Sequence, residues 1–234
     1  MRYAIYYTPP SDHPLTQAAT AWLGRDAFGS PVLAESHGYE ALIASPRRYG
    51  FHGTLKAPFR LPDTVTEAEL LAAFDAFLAT PRPIPEVTLQ VVALGSFIAL
   101  VPAHQHDDDL RELASDCLQG FEPFRAPLTD AEIARRNPAS LSSEQLGYLQ
   151  RYGYPYVLDA FRFHMTLSGA VEDSDTRSQI KQYLEHRFGK LLTVPLKMNT
   201  LAVFIEEEPG ADFQVLRFGE LTASLKANKR VGNQ

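Results

Sequence analysis

A five-residue pattern, Phe-His-x-Thr-Leu, occurs twice in the chain and constrains its fold more than any other feature. The copies occupy residues 51–55 and 163–167. One motif repeated at such a distance favours a chain built from two similar units, each holding the motif in the same local structure. The short aromatic and alternating pattern predicts a β-strand for both copies.

The first copy, in a predicted strand over residues 51–59, separates polar from apolar side chains. Side chains two positions apart in a strand share a face, so His52, Thr54 and Lys56 point to one side. Phe51 and Leu55 point to the other. We therefore expect one buried apolar face and one polar face turned toward a cleft.

The second copy, in a predicted strand over residues 161–168, sorts its side chains in the same way. His164, Thr166 and Ser168 share a face, and Arg162 joins them because it stands two positions before His164. If a pseudo-twofold axis relates the two strands, both histidines converge on one cleft.

Two imidazoles flanked by hydroxyls suit the cleavage of phosphodiesters without a metal. One neutral histidine takes a proton from the attacking water and the other protonates the leaving oxygen, each role being worth roughly 10²- to 10⁴-fold in rate. Hydroxyl and cationic side chains beside them can bind the phosphate oxygens. We expect His52 and His164 to be catalytic, and the phosphate-binding residues to be Thr54, Thr166, Lys56, Arg162 and Ser168.

Two other interpretations of the histidines stay open. A single histidine in a strand is more often a hydrogen-bonded structural residue than a catalytic one. A metal site is the second alternative, but two histidines are an incomplete zinc shell, and no carboxylate stands two or four positions after His52 or His164. The pairing within a repeat favours catalysis, and we expect neither a metal nor a cofactor.

The rest of the chain alternates predicted helices and strands. Capping boxes mark three helix starts, at Thr66, Thr129 and Ser142. The predicted helices cover residues 15–23, 66–78, 107–118, 142–152 and 174–188, with a short one after Thr129, and the further strands cover 2–7, 86–94, 97–102, 194–206 and 213–218. This pattern predicts a layered α+β or α/β protein, and with no Gly/Ser-rich boundary we expect one domain over residues 1–234.

An insertion at about residues 125–157 has no counterpart before the first motif. Its two short capped helices directly precede the second motif, a position from which they could form a lid over the site. The aromatic loop that follows them contains Tyr154 and Tyr156, which could stack on a base or cover a sugar. Tyrosines packed over the edge of the core are the commoner explanation of such a loop.

The longer strings around the motifs resemble a known family. Paired His-x-Thr-Leu strands are typical of the 2H phosphoesterase superfamily, which this chain resembles. The strings RYAIYYTPP, FHGTLKAPF and YGYPY resemble one branch of it, the uncharacterised bacterial proteins often encoded with phosphonate-utilisation genes. The resemblance runs from residue 1 to about 220. It implies a bilobal fold, with two pseudo-symmetric lobes of antiparallel sheet and outer helices around a central cleft. It also implies that His52 and His164 are the acid/base pair and that Thr54 and Thr166 are phosphate ligands.

The net charge of the chain limits which classes of partner it can bind. The chain has 22 Lys and Arg against 28 Asp and Glu, a formal charge of -6, which is the opposite of the basic footprint of a protein that binds duplex nucleic acid. We therefore expect a small phosphorylated substrate, a nucleotide or sugar phosphate with a cyclic phosphate or phosphodiester, and no long nucleic acid. A noncatalytic binder of nucleotides or RNA ends, or a 2'-5' RNA ligase-like enzyme, are the alternatives.

Other sequence features have simpler explanations. The run HQHDDD at residues 104–109 looks like a metal cluster, but acidic residues in a first helical turn are explained by capping and the helix dipole. Arg47 and Arg48 are interpreted as solvated loop residues. The longest apolar stretch is too short to span a membrane, and prolines at 9 and 10 interrupt any signal peptide. We expect a cytoplasmic, monomeric protein with no membrane contact.

Overall fold

The computed structural model describes residues 1–32, 38–104 and 108–224. The helices are α1 Pro14–Leu23, α2 Glu40–Tyr49, α3 Glu67–Ala79, α4 Asp108–Gly120, α5 Asp130–Ala134, α6 Ser143–Tyr152 and α7 Ser174–Phe188. The strands are β1 Arg2–Tyr7, β2 Gly53–Phe59, β3 Glu86–Val87, β4 Leu89–Leu94, β5 Phe97–Pro102, β6 Met165–Thr166, β7 Leu196–Lys197, β8 Thr200–Glu206 and β9 Gln214–Glu220.

Seven of the strands form one sheet in the order β4-β5-β6-β2-β1-β8-β9, and β3 pairs with β7 separately. Every strand pair is antiparallel. The two motif strands, β2 and β6, lie side by side at the centre, where they are paired only at Gly53 and Met165. The α+β class is therefore confirmed, and the expected lobes are the two halves of this sheet, which meet at the motif strands.

Strand β1 shows how the sheet divides its two faces. Tyr3, Ile5 and Tyr7 alternate into the main core, where helices pack against the sheet. Ala4 and Tyr6 point the other way, into a small cluster on the opposite face. That second face is the one that carries the first motif histidine, because its ring stacks on Tyr6.

All three predicted capping boxes are confirmed. The side chains of Thr66, Thr129 and Ser142 each accept a hydrogen bond from the backbone N–H of the residue three positions later. The side chain of that later residue in turn accepts a hydrogen bond from the backbone N–H of the cap residue. Helix α2, by contrast, was not predicted from the sequence. It contains Pro46 and starts without a side-chain cap, although Gly50 follows its end with a φ of 73°.

Some predicted strands are shorter in the structure. The segment 161–168 forms only the two-residue β6, because residues 158–160 make a helical turn and 161–164 are unpaired. The long strand predictions 86–94 and 194–206 each divide into a short strand paired with its counterpart and a longer strand in the main sheet. Residue 107, where α4 was expected to begin, lies outside the described residues, as do His37 and His106.

Two negative findings apply to the described part of the chain. No helix there is long and apolar enough to cross a bilayer. No three His, Cys, Asp or Glu side chains there come together as the ligands of a metal ion would. The single cysteine, Cys117, is fully buried in the core, where an apolar environment raises the pKa of its thiol.

Candidate active site

His52 stands at the entrance to β2, held on two sides. Its ring stacks on Tyr6 with centroids 3.8 Å apart. Its Nδ1 lies 3.0 Å from the Gly50 carbonyl oxygen. Gly50 has a φ of 73° and leaves no room for a side chain, since a Cβ there would lie 2.6 Å from the Cβ of Ala27. The tight turn that presents this carbonyl to the histidine therefore requires glycine.

His164 is held in the same way as His52. Its Nδ1 lies 2.9 Å from the Arg162 carbonyl oxygen, two residues earlier, as Gly50 is two residues before His52. A carbonyl oxygen only accepts hydrogen bonds, so Nδ1 carries the hydrogen in both rings. Nε2 is then the nitrogen that carries the lone pair in both rings when they are neutral.

The pKa of His52 falls to about 4, from an ordinary value of 6.5. Burial is the main cause, because it penalises the charged imidazolium. The hydrogen bond to Gly50 opposes the shift, and the positive charge of His164 adds to it. The two histidines are therefore close enough to interact, and His52 is neutral at physiological pH.

The two motif threonines lie on the same face of the sheet as the histidines. Thr54 is paired with Tyr6 across the strands, and its Oγ1 lies 3.2 Å from Nε2 of His52. Thr166 is paired with Ala99 on the neighbouring β5. Both threonines are partly buried.

A cavity of about 460 Å³ opens beside these residues. This volume is typical of a pocket for a small molecule. It is bordered by residues of both motif copies, by the β4–β5 turn and by the end of the insertion. The lining side chains that carry chemistry are Thr54, His164, Arg162, Asp159, Tyr154, Tyr156 and Gln145, whereas His52 and Thr166 are not among the lining residues. Arg162, Tyr154 and Tyr156, all predicted from the sequence, are thus brought together with the motif residues.

The tyrosine loop forms an aromatic wall of this cavity. The rings of Tyr154 and Tyr156 meet edge to face with centroids 5.6 Å apart, and the guanidinium of Arg136 lies 5.0 Å from the Tyr154 centroid. Burial raises the pKa of Tyr154, so its hydroxyl is a neutral donor. Tyr156 is 48% exposed, which is high for a ring that packs only against protein.

Lys56 does not reach the cleft, so its predicted contact with phosphate is corrected. Its side chain is 2% exposed, and the ammonium bonds Glu122 at 2.7 Å and the Leu118 carbonyl at 3.1 Å. The cause is a β-bulge: Tyr6 pairs with Thr54, but Ile5 pairs with Lys56, which leaves one extra residue between them. The bulge turns Lys56 to the face of Ile5, which is the buried one.

Ser168 is corrected for a similar reason. The amides of Leu167 and Ser168 both donate to the Ile98 carbonyl, at 2.8 and 3.2 Å, so the strict alternation ends after Thr166. The Ser168 hydroxyl is fully buried, accepts from the Ile98 N–H at 2.9 Å and donates to the Gly169 carbonyl. It stabilises the end of the sheet and does not face the cleft.

Two arginines lie elsewhere than the sequence predicted, and several residues around the site were not predicted. Arg47 and Arg48 lie in α2, and Arg48 forms a salt bridge with the buried Glu206. Residues of the site that sequence reasoning missed are Tyr6, Phe97, Arg136 and Gln145. The sequence did indicate Tyr6, because the alternation of side chains in β1 places it on the face opposite the core residues. The other three are brought to the site only by tertiary contacts.

Two curated proteins similar to this chain share one name. Ribose 1,5-bisphosphate phosphokinase PhnN of Janthinobacterium sp. (strain Marseille) is 40% identical over 222 residues, which are 91% of this chain and 49% of that protein. The protein of the same name from Laribacter hongkongensis is 34% identical over 221 residues, 93% of this chain and 51% of that protein. The chain therefore spans about half the length of these curated relatives.

Among solved structures, E. coli LigT complexed with 3'-AMP aligns with 94% of this chain and 98% of its own, at 13% identity and a TM-score of 0.43. A family model described as "Protein of unknown function (DUF1045)" matches residues 54–214, from the first motif threonine to the start of β9. The chain belongs to this DUF1045 family.

Proposed function

We propose that the protein is a metal-independent phosphodiesterase that hydrolyses a cyclic phosphate or phosphodiester of a small nucleotide or sugar phosphate. The observation that carries the proposal is the shared geometry of His52 and His164, each with Nδ1 bonded to the carbonyl two residues earlier. This repeated anchoring fixes two imidazoles in the tautomer that leaves Nε2 for proton transfer. A merely structural role gives no reason for both copies to adopt it.

His52 acts as the general base in this proposal. It is neutral, and its Nε2 accepts a proton from the attacking water while the water oxygen forms a bond to phosphorus. His164, as imidazolium, donates its Nε2 proton to the departing ester oxygen as the P–O bond breaks. After product release, His52 loses its extra proton to solvent and His164 takes one up from solvent, so both rings return to their starting states.

The remaining site residues bind the phosphate and the rest of the substrate. Thr54 and Thr166 donate hydrogen bonds to the non-bridging oxygens, whose charge grows in the transition state. Arg162, which borders the cavity, supplies the positive charge that was first expected from Lys56. The wall formed by Tyr154 and Tyr156 covers a sugar or a base.

A small phosphorylated sugar is the substrate class that the observations support best. The chain has no G-x-x-x-x-G-K-[ST] phosphate-binding loop, so we do not propose the kinase activity for which the relatives are named. Those relatives are about twice as long, and their name concerns a ribose bisphosphate. Opening a cyclic phosphate on a phosphorylated ribose would yield a product of that chemical kind.

A panel of phosphodiesters followed by phosphorus NMR tests the proposal. The panel contains nucleoside 2',3'-cyclic phosphates, cyclic phosphates of ribose and ribose 5-phosphate, and a linear dinucleotide, each in the presence of EDTA. We expect the resonance of at least one cyclic diester to be replaced by that of a monoester. Shifts without any new resonance would instead support a noncatalytic binder and overturn the proposal.

The pH dependence of the reaction tests the role of His52. A base accepts protons only when it is neutral, so kcat/KM on the acidic side follows the pKa of His52, about 4 rather than the ordinary 6.5. We expect kcat/KM not to fall as pH is lowered from neutrality and to decline only as pH nears about 4. A decline centred near pH 6.5, with circular dichroism showing a folded protein, would contradict this assignment.

A further inference from the structure

A buried charge network joins the first motif strand to the tyrosine loop. Lys56 on β2 bonds Glu122, and Arg125 bonds the same carboxylate through Nε at 2.9 Å and Nη2 at 2.6 Å. Glu122 thus accepts from two cations, one through each of its oxygens. Both cationic side chains are nearly covered, with 2% and 11% of their side-chain surface exposed.

Arg125 continues from this carboxylate to the end of the insertion. Its Nη2 also donates to the Arg151 carbonyl at 3.0 Å, in the last turn of α6, and its Nη1 donates to the Ala126 carbonyl at 3.1 Å. Its side chain lies flat over Gly153, where a Cβ would come within 3.1 Å of the arginine Cδ. Gly153 ends α6 with a φ of 74° and leads directly into Tyr154.

We infer that Arg125, held in place by Glu122, is a positioning residue that sets the aromatic wall formed by Tyr154 and Tyr156. The guanidinium fixes the end of α6 and the backbone of Gly153, from which the tyrosine loop starts. Lys56 bonds the other oxygen of Glu122, so both bonds from Arg125 to this carboxylate are independent of it. The inference rests on the proposed function only in assigning this wall to substrate binding.

The contacts explain why binding, rather than chemistry, depends on Arg125. None of its bonds reaches His52, His164 or the motif threonines. The catalytic groups are set by the strands and by their own carbonyl contacts. A change at Arg125 should therefore alter how the substrate is held while the proton transfers stay unaffected.

Arg125→Met tests the inference, with Lys56→Met as its matched control. Arg125→Met removes the contacts to Arg151 and Gly153 but leaves the Lys56–Glu122 pair. Lys56→Met removes an equally buried cation but leaves Glu122 paired with Arg125. We expect Arg125→Met to raise KM about tenfold with kcat changed less than about threefold, and Lys56→Met to leave KM near that of the unaltered protein.

Hydrogen exchange measures the same effect without any substrate. We expect the backbone amide of Gly153, which starts the loop and donates to the Leu149 carbonyl at 2.9 Å, to exchange at least about tenfold faster in Arg125→Met and at the original rate in Lys56→Met. Arg125→Lys, which keeps the charge but not the fork of donors, should fall between the two.

The two readouts separate failure of the inference from failure of the proposed function. Equal exchange of the loop in Arg125→Met and the unaltered protein would overturn the inference, as would equal effects of the two methionine variants on KM or exchange. Faster exchange of the loop in a protein that turns over no phosphodiester would uphold the positioning role and reject the proposed function.

Discussion

Replacing either His52 or His164 by alanine is expected to lower kcat on the cyclic phosphate by roughly 10²- to 10⁴-fold, the range for loss of one general acid or base. The reason is that each ring supplies one of the two proton transfers in the proposed mechanism. Removing both should cost little more than removing one, since residues that act as a unit lose their effect together.

The measurement is single-turnover hydrolysis of the cyclic diester that the phosphorus panel identifies, with and without EDTA. His186→Ala is the matched control, because this histidine is exposed on α7 and makes no contact with the site. His52→Gln should accompany His52→Ala, because glutamine fills more of the space beside Tyr6. Near-normal turnover in a variant of either motif histidine, or full loss with EDTA, would reject the two-histidine mechanism.

Gly53→Ala should give the largest loss of stability. A Cβ at Gly53 would lie 2.3 Å from Cε2 of Phe163, the aromatic residue of the second motif. Phe163 is 6% exposed and meets Tyr7 edge to face, so its ring has little room to withdraw. Overpacking of this kind costs about 1–3 kcal/mol, which for a chain of this size lowers Tm by roughly 2–12 °C.

Activity should fall with stability in this variant. Gly53 and Met165 are the single paired position between the two motif strands, and a displaced Phe163 would change the distance between His52 and His164. Thermal unfolding and kcat are therefore measured together, on Gly53→Ala and on Gly189→Ala. Gly189 has helical φ and ψ with nothing within 4 Å of a Cβ, so alanine there should be neutral or slightly stabilising.

A compensating change identifies the cause of the Gly53 effect. Phe163→Leu alone should destabilise the protein. If the clash with the ring is responsible, the same change should restore part of the stability lost in Gly53→Ala, because the two neighbouring residues are energetically coupled. Additive losses in the double variant would show that the ring contact is not what excludes alanine.

The local structure was largely predictable because its signals are local. The three capping boxes place a hydroxyl and a carboxylate or amide three residues apart, and this spacing alone fixes where a helix begins. Strand β1 was predicted with its observed bounds, and so was α7. Helix α2 escaped prediction because it has a proline inside it and starts without a side-chain cap, while it packs on the core through Ile43 and Pro46.

Within the site, the sequence was a good guide as far as the strand alternation holds. His52 and Thr54 share a face, as do His164 and Thr166, because no irregularity separates the members of each pair. Beyond the threonines the alternation ends, and both Lys56 and Ser168 turn into the interior. A β-bulge depends on how a neighbouring strand pairs, which one strand's own sequence does not encode.

The sequence by itself determined that two histidines would be presented by two similar strands, since the side-chain period of a strand and the repeated motif require nothing further. Only the tertiary structure decided which side chains surround them. Burial, with the charge of His164, lowers the pKa of His52, and Arg125 joins Glu122 to the end of α6. These properties arise from groups far apart in the chain, and only the packing of the folded sheet and helices brings them within interaction distance.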